Sequence, residues 1–159
     1  MESLLKIKFW GTRGLISSPN VRNVEYGGNT TCIQIIYKNL LIIVDSGFGI
    51  SNFGEELTNI DKKSQKDLNI CIFFTHFHWD HIQGLPFFHP IYSPRTTLNL
   101  YSPVSEKITK ENLDVLFDGS YTPFEGIGSM PSKIVFNKLT EPLVLDDLTV
   151  SYLPIDHGF

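Results

Sequence analysis

Cysteine, clusters of basic residues and long apolar runs are all scarce in this chain of 159 residues. Its two cysteines, Cys32 and Cys71, are far apart, which excludes a zinc finger built on cysteine pairs. Each lies in an apolar, strand-like run, so we expect both to be small buried side chains. The 13 Lys and Arg residues against 17 Asp and Glu leave a formal net charge of −4. Because the basic residues form no cluster, the sequence lacks the positive surface that nucleic-acid binding normally needs.

Membrane-directed segments are also lacking. No stretch is long and apolar enough for a membrane span, and Glu2, Lys6 and Lys8 interrupt what would be the apolar core of a signal peptide. We therefore expect a cytoplasmic protein without a membrane partner. The length fits one domain, residues 1–159.

Short apolar or alternating runs between turn residues predict an α/β protein. The predicted strands cover residues 5–9, 31–37, 40–44, 68–74, 97–101, 133–138 and 148–153. The predicted helices cover residues 50–58, 81–89 and 105–117. Lys38 and Asn39 are expected to form a tight hairpin turn, and residues 119–131 a loop that borders a substrate cleft.

The most informative segment is residues 75–81, which place three histidines and one aspartate directly after an apolar predicted strand. In an extended chain, residues two apart project to the same side, so His76 and His78 can reach one ion. Asp80 and His81 follow the turn and point most economically at a second ion beside the first. Imidazole nitrogens with a carboxylate oxygen suit zinc, manganese or iron better than magnesium or calcium.

Two other interpretations of this segment are weaker. A zincin helix needs His-Glu-x-x-His, whereas these histidines are two and three residues apart with no glutamate between them. A solvated histidine-rich loop would lack both the apolar strand before it and the apolar residues 84–88 after it.

Residues 76–81 read His-x-His-x-Asp-His, the core motif of the metallo-β-lactamase fold superfamily of hydrolases. Further segments resemble a phosphodiesterase-like branch of it: Phe-Trp-Gly-Thr-Arg-Gly at 9–14, Tyr-Gly-Gly-Asn-Thr-Thr-Cys at 26–32, and Ile-Ile-Val-Asp-Ser-Gly at 42–47. His-Ile-Gln-Gly-Leu-Pro-Phe-Phe at 81–88 is similar to cyclic phosphate diesterases and transfer-RNA 3′ processing nucleases. The resemblance implies a four-layer αββα sandwich with two similar halves. This chain would contain the first half and the start of the second.

The resemblance also implies a site for two zinc ions, with manganese or iron as alternative metals. Three residues match the ligands of the first ion, namely His76, His78 and His157. Asp80 and His81 match those of the second ion. Asp45 matches an aspartate that supports the ligand loop by hydrogen bonding.

The family pattern continues with a bridging aspartate and a further distal histidine, but this chain ends two residues after His157. We therefore expect a truncated gene product or a part of a larger protein, incomplete at its C-terminus, with apolar sheet surface left uncovered. His89, the only other histidine, is interpreted as a structural or surface residue. Arg13 is expected to pack within its loop rather than contact a substrate phosphate.

The function implied is metal-dependent hydrolysis of a small phosphodiester by a metal-bound hydroxide held by His76, His78 and Asp80. Asp80 is thus the predicted catalytic residue as well as a ligand. One alternative is a hydrolase like the transfer-RNA 3′ processing endonucleases, whose nucleic-acid-binding surface would lie in a missing part. Another is a non-catalytic metal-binding fragment that needs a missing half or a partner chain. A di-iron oxidoreductase is disfavoured because those relatives generally replace one motif histidine with glutamate. The sequence is also compatible with a homodimer as the oligomeric state.

Overall fold

A mixed sheet of six strands organises the fold, in the computed structural model that describes residues 5–64 and 66–157. The order is β1–β2–β3–β4–β5–β6, formed by Leu5–Gly11, Cys32–Tyr37, Leu40–Val44, Leu68–Phe73, Thr96–Ser102 and Lys133–Lys138. The first three strands pair antiparallel, and β3 to β6 pair parallel. The α/β class expected from the sequence is confirmed.

Helices connect the parallel strands. α1 (Gly49–Ser64) lies between β3 and β4, α2 (Trp79–Ile82) between β4 and β5, and α3 (Glu106–Asp114) between β5 and β6. None of the helices in the described ranges has the length and hydropathy of a transmembrane segment.

α1 forms because its apolar residues recur at helical spacing. Ile50, Phe53 and Leu57 are buried at positions i, i+3 and i+7, which makes one continuous face toward the sheet. α3 begins where predicted, because the Ser105 side chain accepts a hydrogen bond from the Ile108 N–H at 3.4 Å as its N-cap.

The central strand β4 is buried on both sheet faces from Ile70 to Phe73, as the apolar run of these residues indicates. On one face, Ile70 and Ile72 join the main core beneath the helices. On the other face, Cys71 and Phe73 pack near a two-stranded antiparallel sheet of β7 (Leu143–Leu145) and β8 (Leu148–Val150). Cys71 and Cys32 are both buried free thiols, as predicted.

Apolar surface remains exposed on this second face at the edge strand β1. Leu5, Ile7 and Phe9 alternate along β1 and are 47%, 53% and 62% exposed. Ile7 lies opposite Ile35, which packs in the second cluster, so these side chains share that face. Uncovered apolar sheet surface, expected from the sequence, is present at this edge.

The β2–β3 hairpin follows its predicted turn. Tyr37 pairs with Leu40, and Lys38 between them has a φ of 52°. A two-residue hairpin turn favours this left-handed backbone because its twist matches that of the strands.

The predicted helix over residues 81–89 is wrong. α2 ends at Ile82, and two separate 3₁₀ helices follow, Leu85–Phe87 and His89–Tyr92. Pro86 and Pro90 have no N–H to donate and cannot continue an α-helix. Each instead lies at the start of a short 3₁₀ helix.

Several other boundaries also differ from prediction, two of them as follows. α1 continues to Ser64, beyond the predicted end at 58. The predicted strand 148–153 ends at Val150, and its partner β7 was missed, because segments of three residues carry little periodicity.

Candidate metal centre

The candidate site lies at the carboxyl ends of the adjacent parallel strands β3 and β4. Val44 pairs with Phe73, so the residues that follow each strand meet at one edge of the sheet. The Asp45 N–H donates to the Phe73 carbonyl at 2.8 Å. Asp45 then turns with a φ of 60°, a conformation that aspartate adopts more readily than most residues.

Two glycines allow the loops after these strands to pack backbone against backbone. A Cβ on Gly47 would lie 2.3 Å from the Asp80 carbonyl oxygen, and one on Gly84 would lie 2.2 Å from the Gly47 carbonyl oxygen. The Ser46 N–H donates to the His81 carbonyl at 2.7 Å, and the Gly84 N–H donates to the Ser46 carbonyl at 2.9 Å. These contacts hold the histidine-rich loop against the end of β3.

Three histidines converge at this edge. His76, His78 and His157 each offer a ring nitrogen, and these atoms all lie within 4.8 Å of one another. The ring of His76 is 4.4 Å from that of His78 and 4.7 Å from that of His157, measured between centroids. In the described ranges, this is the one group of three or more histidine, cysteine or acidic side chains with such spacing.

The chemistry of this group fits a divalent cation. His76 Nε2 is buried and has no hydrogen-bond partner within residues 5–64 and 66–157. Burial, and after it the nearby His81, His78 and His157, lowers the pKa of His76, which favours a neutral ring with a free lone pair. An unsatisfied polar atom in such a place costs about 1–3 kcal/mol, and a cation would satisfy it. Imidazole nitrogens are ligands suited to zinc and to other transition metals.

Asp80 and His81 lie beside the three histidines but not in their group. The ring of His81 is 4.1 Å from that of His76, and His81 Nε2 is 3.6 Å from Asp80 Oδ2. That oxygen also accepts a hydrogen bond from the Leu15 N–H at 2.9 Å. The residues that the structure describes supply no third side chain that completes a comparable group with this pair.

Opposing influences act on the pKa values of this pair. Burial tends to raise the pKa of Asp80, but the Leu15 N–H and the nearby His81 lower it overall. Burial tends to lower the pKa of His81, but its hydrogen bond to Asp45 and the charges of Asp45 and Asp80 raise it overall. The surroundings thus favour the carboxylate form of Asp80.

Asp45 links the three-histidine group to the pair of Asp80 and His81. It is 3% exposed, and its Oδ2 lies 2.8 Å from His81 Nδ1. Its Oδ1 accepts a hydrogen bond from the Thr75 N–H at 2.8 Å. The Thr75 hydroxyl lies 3.0 and 2.9 Å from the two Asp45 oxygens and 3.0 Å from His76 Nδ1. Asp45 and Thr75 thereby orient the rings of His76 and His81.

Sequence reasoning missed the contacts of Thr75 and Leu15. The position of Thr75, just after a strand and next to His76, was a usable signal for a role in the ligand loop. Nothing in the sequence indicated Leu15, which reaches Asp80 from a loop and has a φ of 69°. The other expectations for nearby side chains agree with the structure: Arg13 Nε donates to the Ile16 carbonyl at 2.8 Å within its own loop, and His89 is exposed.

Comparison with known proteins finds a family model that matches part of the chain. The model of the metallo-beta-lactamase superfamily matches residues 25–101, a range that contains Asp45 and the ligand loop. No curated protein matched the chain.

Two solved structures resemble the fold. One is a diphosphatase from the PhnP family, with a TM-score of 0.55 and 16% identity over 89% of this chain and 53% of that one. Another is the metallo-beta-lactamase fold protein YhfI from Bacillus subtilis, with a TM-score of 0.54 and 16% identity over 94% of this chain and 52% of that one. At this identity the likeness concerns the fold alone, and this chain spans about half the length of each. Residues 25–101 thus match the metallo-beta-lactamase superfamily model, and the fold is similar to those of the two solved structures.

Proposed function

We propose that this chain carries the metal centre of a metal-dependent hydrolase that acts on phosphodiesters. The observation that supports this most directly is the convergence of His76, His78 and His157, together with a buried His76 Nε2 that has no hydrogen-bond partner among the described residues. In the proposal these three residues hold one divalent ion, with zinc as the metal and manganese or iron as alternatives.

Asp80 and His81 are proposed to hold a second ion beside the first. Their facing atoms are 3.6 Å apart, and both side chains are only partly exposed. Two protein ligands are few for a stable site. We therefore expect the second ion to bind more weakly than the first.

Divalent ions in such a centre supply a Lewis acid and lower the pKa of a water molecule toward neutrality. The chain's own residues hold and orient the centre: Asp45 fixes the ring of His81, and the Leu15 N–H positions the Asp80 carboxylate. In the net reaction, water forms a new bond to phosphorus and the ester P–O bond breaks. The products are a phosphomonoester and an alcohol.

A small phosphodiester is the substrate class that the observations favour. One of the two similar structures is a diphosphatase, which favours a phosphorus-containing substrate over a lactam. The net charge of −4 and the absence of a basic cluster favour a small substrate over a transfer RNA.

The test uses the full chain and measures bound metal together with hydrolysis of bis(p-nitrophenyl) phosphate. We expect about one tightly bound ion, and turnover that a chelator abolishes. H76A and H157A should each lose metal and turnover, whereas H89A, which changes an exposed histidine outside the group, should retain both.

Each other outcome overturns part of the proposal. Metal binding without turnover would refute the hydrolase and leave a non-catalytic metal-binding chain. Turnover that persists in a chelator, or in H76A, would refute the metal centre. Hydrolysis of transfer RNA in preference to the small diester would refute the substrate class.

A further inference from the structure

We propose that the Thr75 hydroxyl sets the tautomer of His76, so that Nδ1 carries the proton and the buried Nε2 is left bare to bind a metal. Thr75 is thus a positioning residue that acts through His76. This inference rests on the proposed function, because the bare Nε2 matters only if the three histidines hold a metal.

The argument begins with the single proton of the hydroxyl. Thr75 Oγ1 lies 3.0 and 2.9 Å from the two oxygens of Asp45. A carboxylate only accepts hydrogen bonds, so the one hydroxyl proton is directed at Asp45. Toward His76 Nδ1, at 3.0 Å, Thr75 Oγ1 can then only accept. The proton in that contact belongs to His76.

The opposite arrangement, in which Thr75 donates to His76 Nδ1, is unfavourable both at Asp45 and at His76 Nε2. If Thr75 donated to His76 Nδ1, its oxygen lone pairs would face the Asp45 carboxylate at 2.9 Å without a proton between them. His76 would then carry its proton on Nε2, a buried atom for which the described part of the chain offers no hydrogen-bond partner. A buried donor without an acceptor is unfavourable, whereas a bare Nε2 is the form that binds a cation.

His81 provides an internal comparison. Its Nδ1 lies 2.8 Å from Asp45 Oδ2 and 3.4 Å from Thr75 Oγ1, so Asp45 holds its proton directly. Removal of the Thr75 hydroxyl should therefore release the tautomer of His76 and leave that of His81 unchanged. A general disturbance of the loop would affect both rings.

The experiment compares T75V, which removes the hydroxyl at nearly constant shape, with T75S, which retains it. Thr75 is an exposed residue, so we expect T75V to fold. T58V is the matched control, because Thr58 donates to the Gly54 carbonyl within α1, away from the loop. The imidazole nitrogens are assigned by ¹⁵N NMR on metal-free protein, and Zn²⁺ affinity is measured by competition with a chelating dye.

We expect Nδ1–H for His76 in the wild type, T75S and T58V, and a shift toward Nε2–H in T75V. His81 should keep Nδ1–H in all four proteins. The Zn²⁺ affinity of T75V should fall about 10–100-fold, as is typical when a partner of a ligating histidine is lost. T75S should recover most of that loss.

Two results would overturn the inference. One is a proton on Nε2 of His76 in the wild type, a measurement that needs no variant. The other is a T75V protein in which His76 keeps its proton on Nδ1 and the Zn²⁺ affinity is unchanged. These differ from failure of the proposed function. A wild type that binds no Zn²⁺ but carries Nδ1–H on His76 would refute the metal centre and keep the role of Thr75.

Discussion

Asp45 offers a sharp test of how the ligand loop is held. D45N keeps the size of the side chain, and asparagine also tolerates the φ of 60° at this position. In the wild type, separate Asp45 oxygens accept from the Thr75 N–H and face His81 Nδ1, both at 2.8 Å. An amide has only one oxygen, so its NH₂ group must face one of these two donors.

The magnitude follows from the contact that is lost. A hydrogen bond to a charged group contributes about 1.5–3 kcal/mol, and Asp45 is 3% exposed, so water cannot easily replace it. We expect D45N to lower the free energy of unfolding by about 1.5–3 kcal/mol. For a chain of this size, this corresponds to a loss of roughly 3–12 °C in Tm.

The assay is denaturant unfolding in the presence of a chelator, so that loss of bound metal does not contribute to the difference. D146N is the matched control, because Asp146 also has a positive φ, of 53°, but is exposed in the β7–β8 turn. Its change should stay within about 0.5 kcal/mol. Equal stability of D45N and D146N would refute the reasoning that Asp45 holds the loop.

Two further predictions concern packing. G47A should lower the free energy of unfolding by about 1–3 kcal/mol in thermal melts, because the new Cβ would lie 2.3 Å from the Asp80 carbonyl oxygen. G128A is the control, because a Cβ at Gly128 would have nothing within 4 Å, and equal melting of the two variants would contradict the close approach. Burial raises the pKa of the Cys32 and Cys71 thiols, so a disulfide reagent should label neither in the native protein at pH 8 and both after denaturation. Rapid native labelling would show that these strands are open to solvent.

The strands of the six-stranded sheet were predictable because each repeats a local pattern. β3 and β6 have the predicted limits, and β4 is the apolar run that a buried parallel strand requires. The predicted helix at 81–89 is wrong because Pro86, which has no N–H to donate, divides that segment.

Within the candidate site, the sequence alone determined which side chains are available. His76 and His78 are neighbours on one side of an extended chain by their spacing, and the order of donors in residues 75–81 indicated a metal centre and a family. Local chemistry suffices for such conclusions, because side-chain type and backbone period are properties of a few consecutive residues.

Only the tertiary structure shows the contacts of these side chains with distant groups, although the family resemblance had implied roles for His157 and Asp45. His157 reaches His76 from the chain after β8, Asp45 reaches His81 from the end of β3, and the Leu15 N–H reaches Asp80 from an earlier loop. These contacts depend on the parallel pairing of β3 with β4 and on the packing of glycine backbones between their loops. No local pattern encodes them, because each joins residues dozens of positions apart that become neighbours only when the sheet has formed.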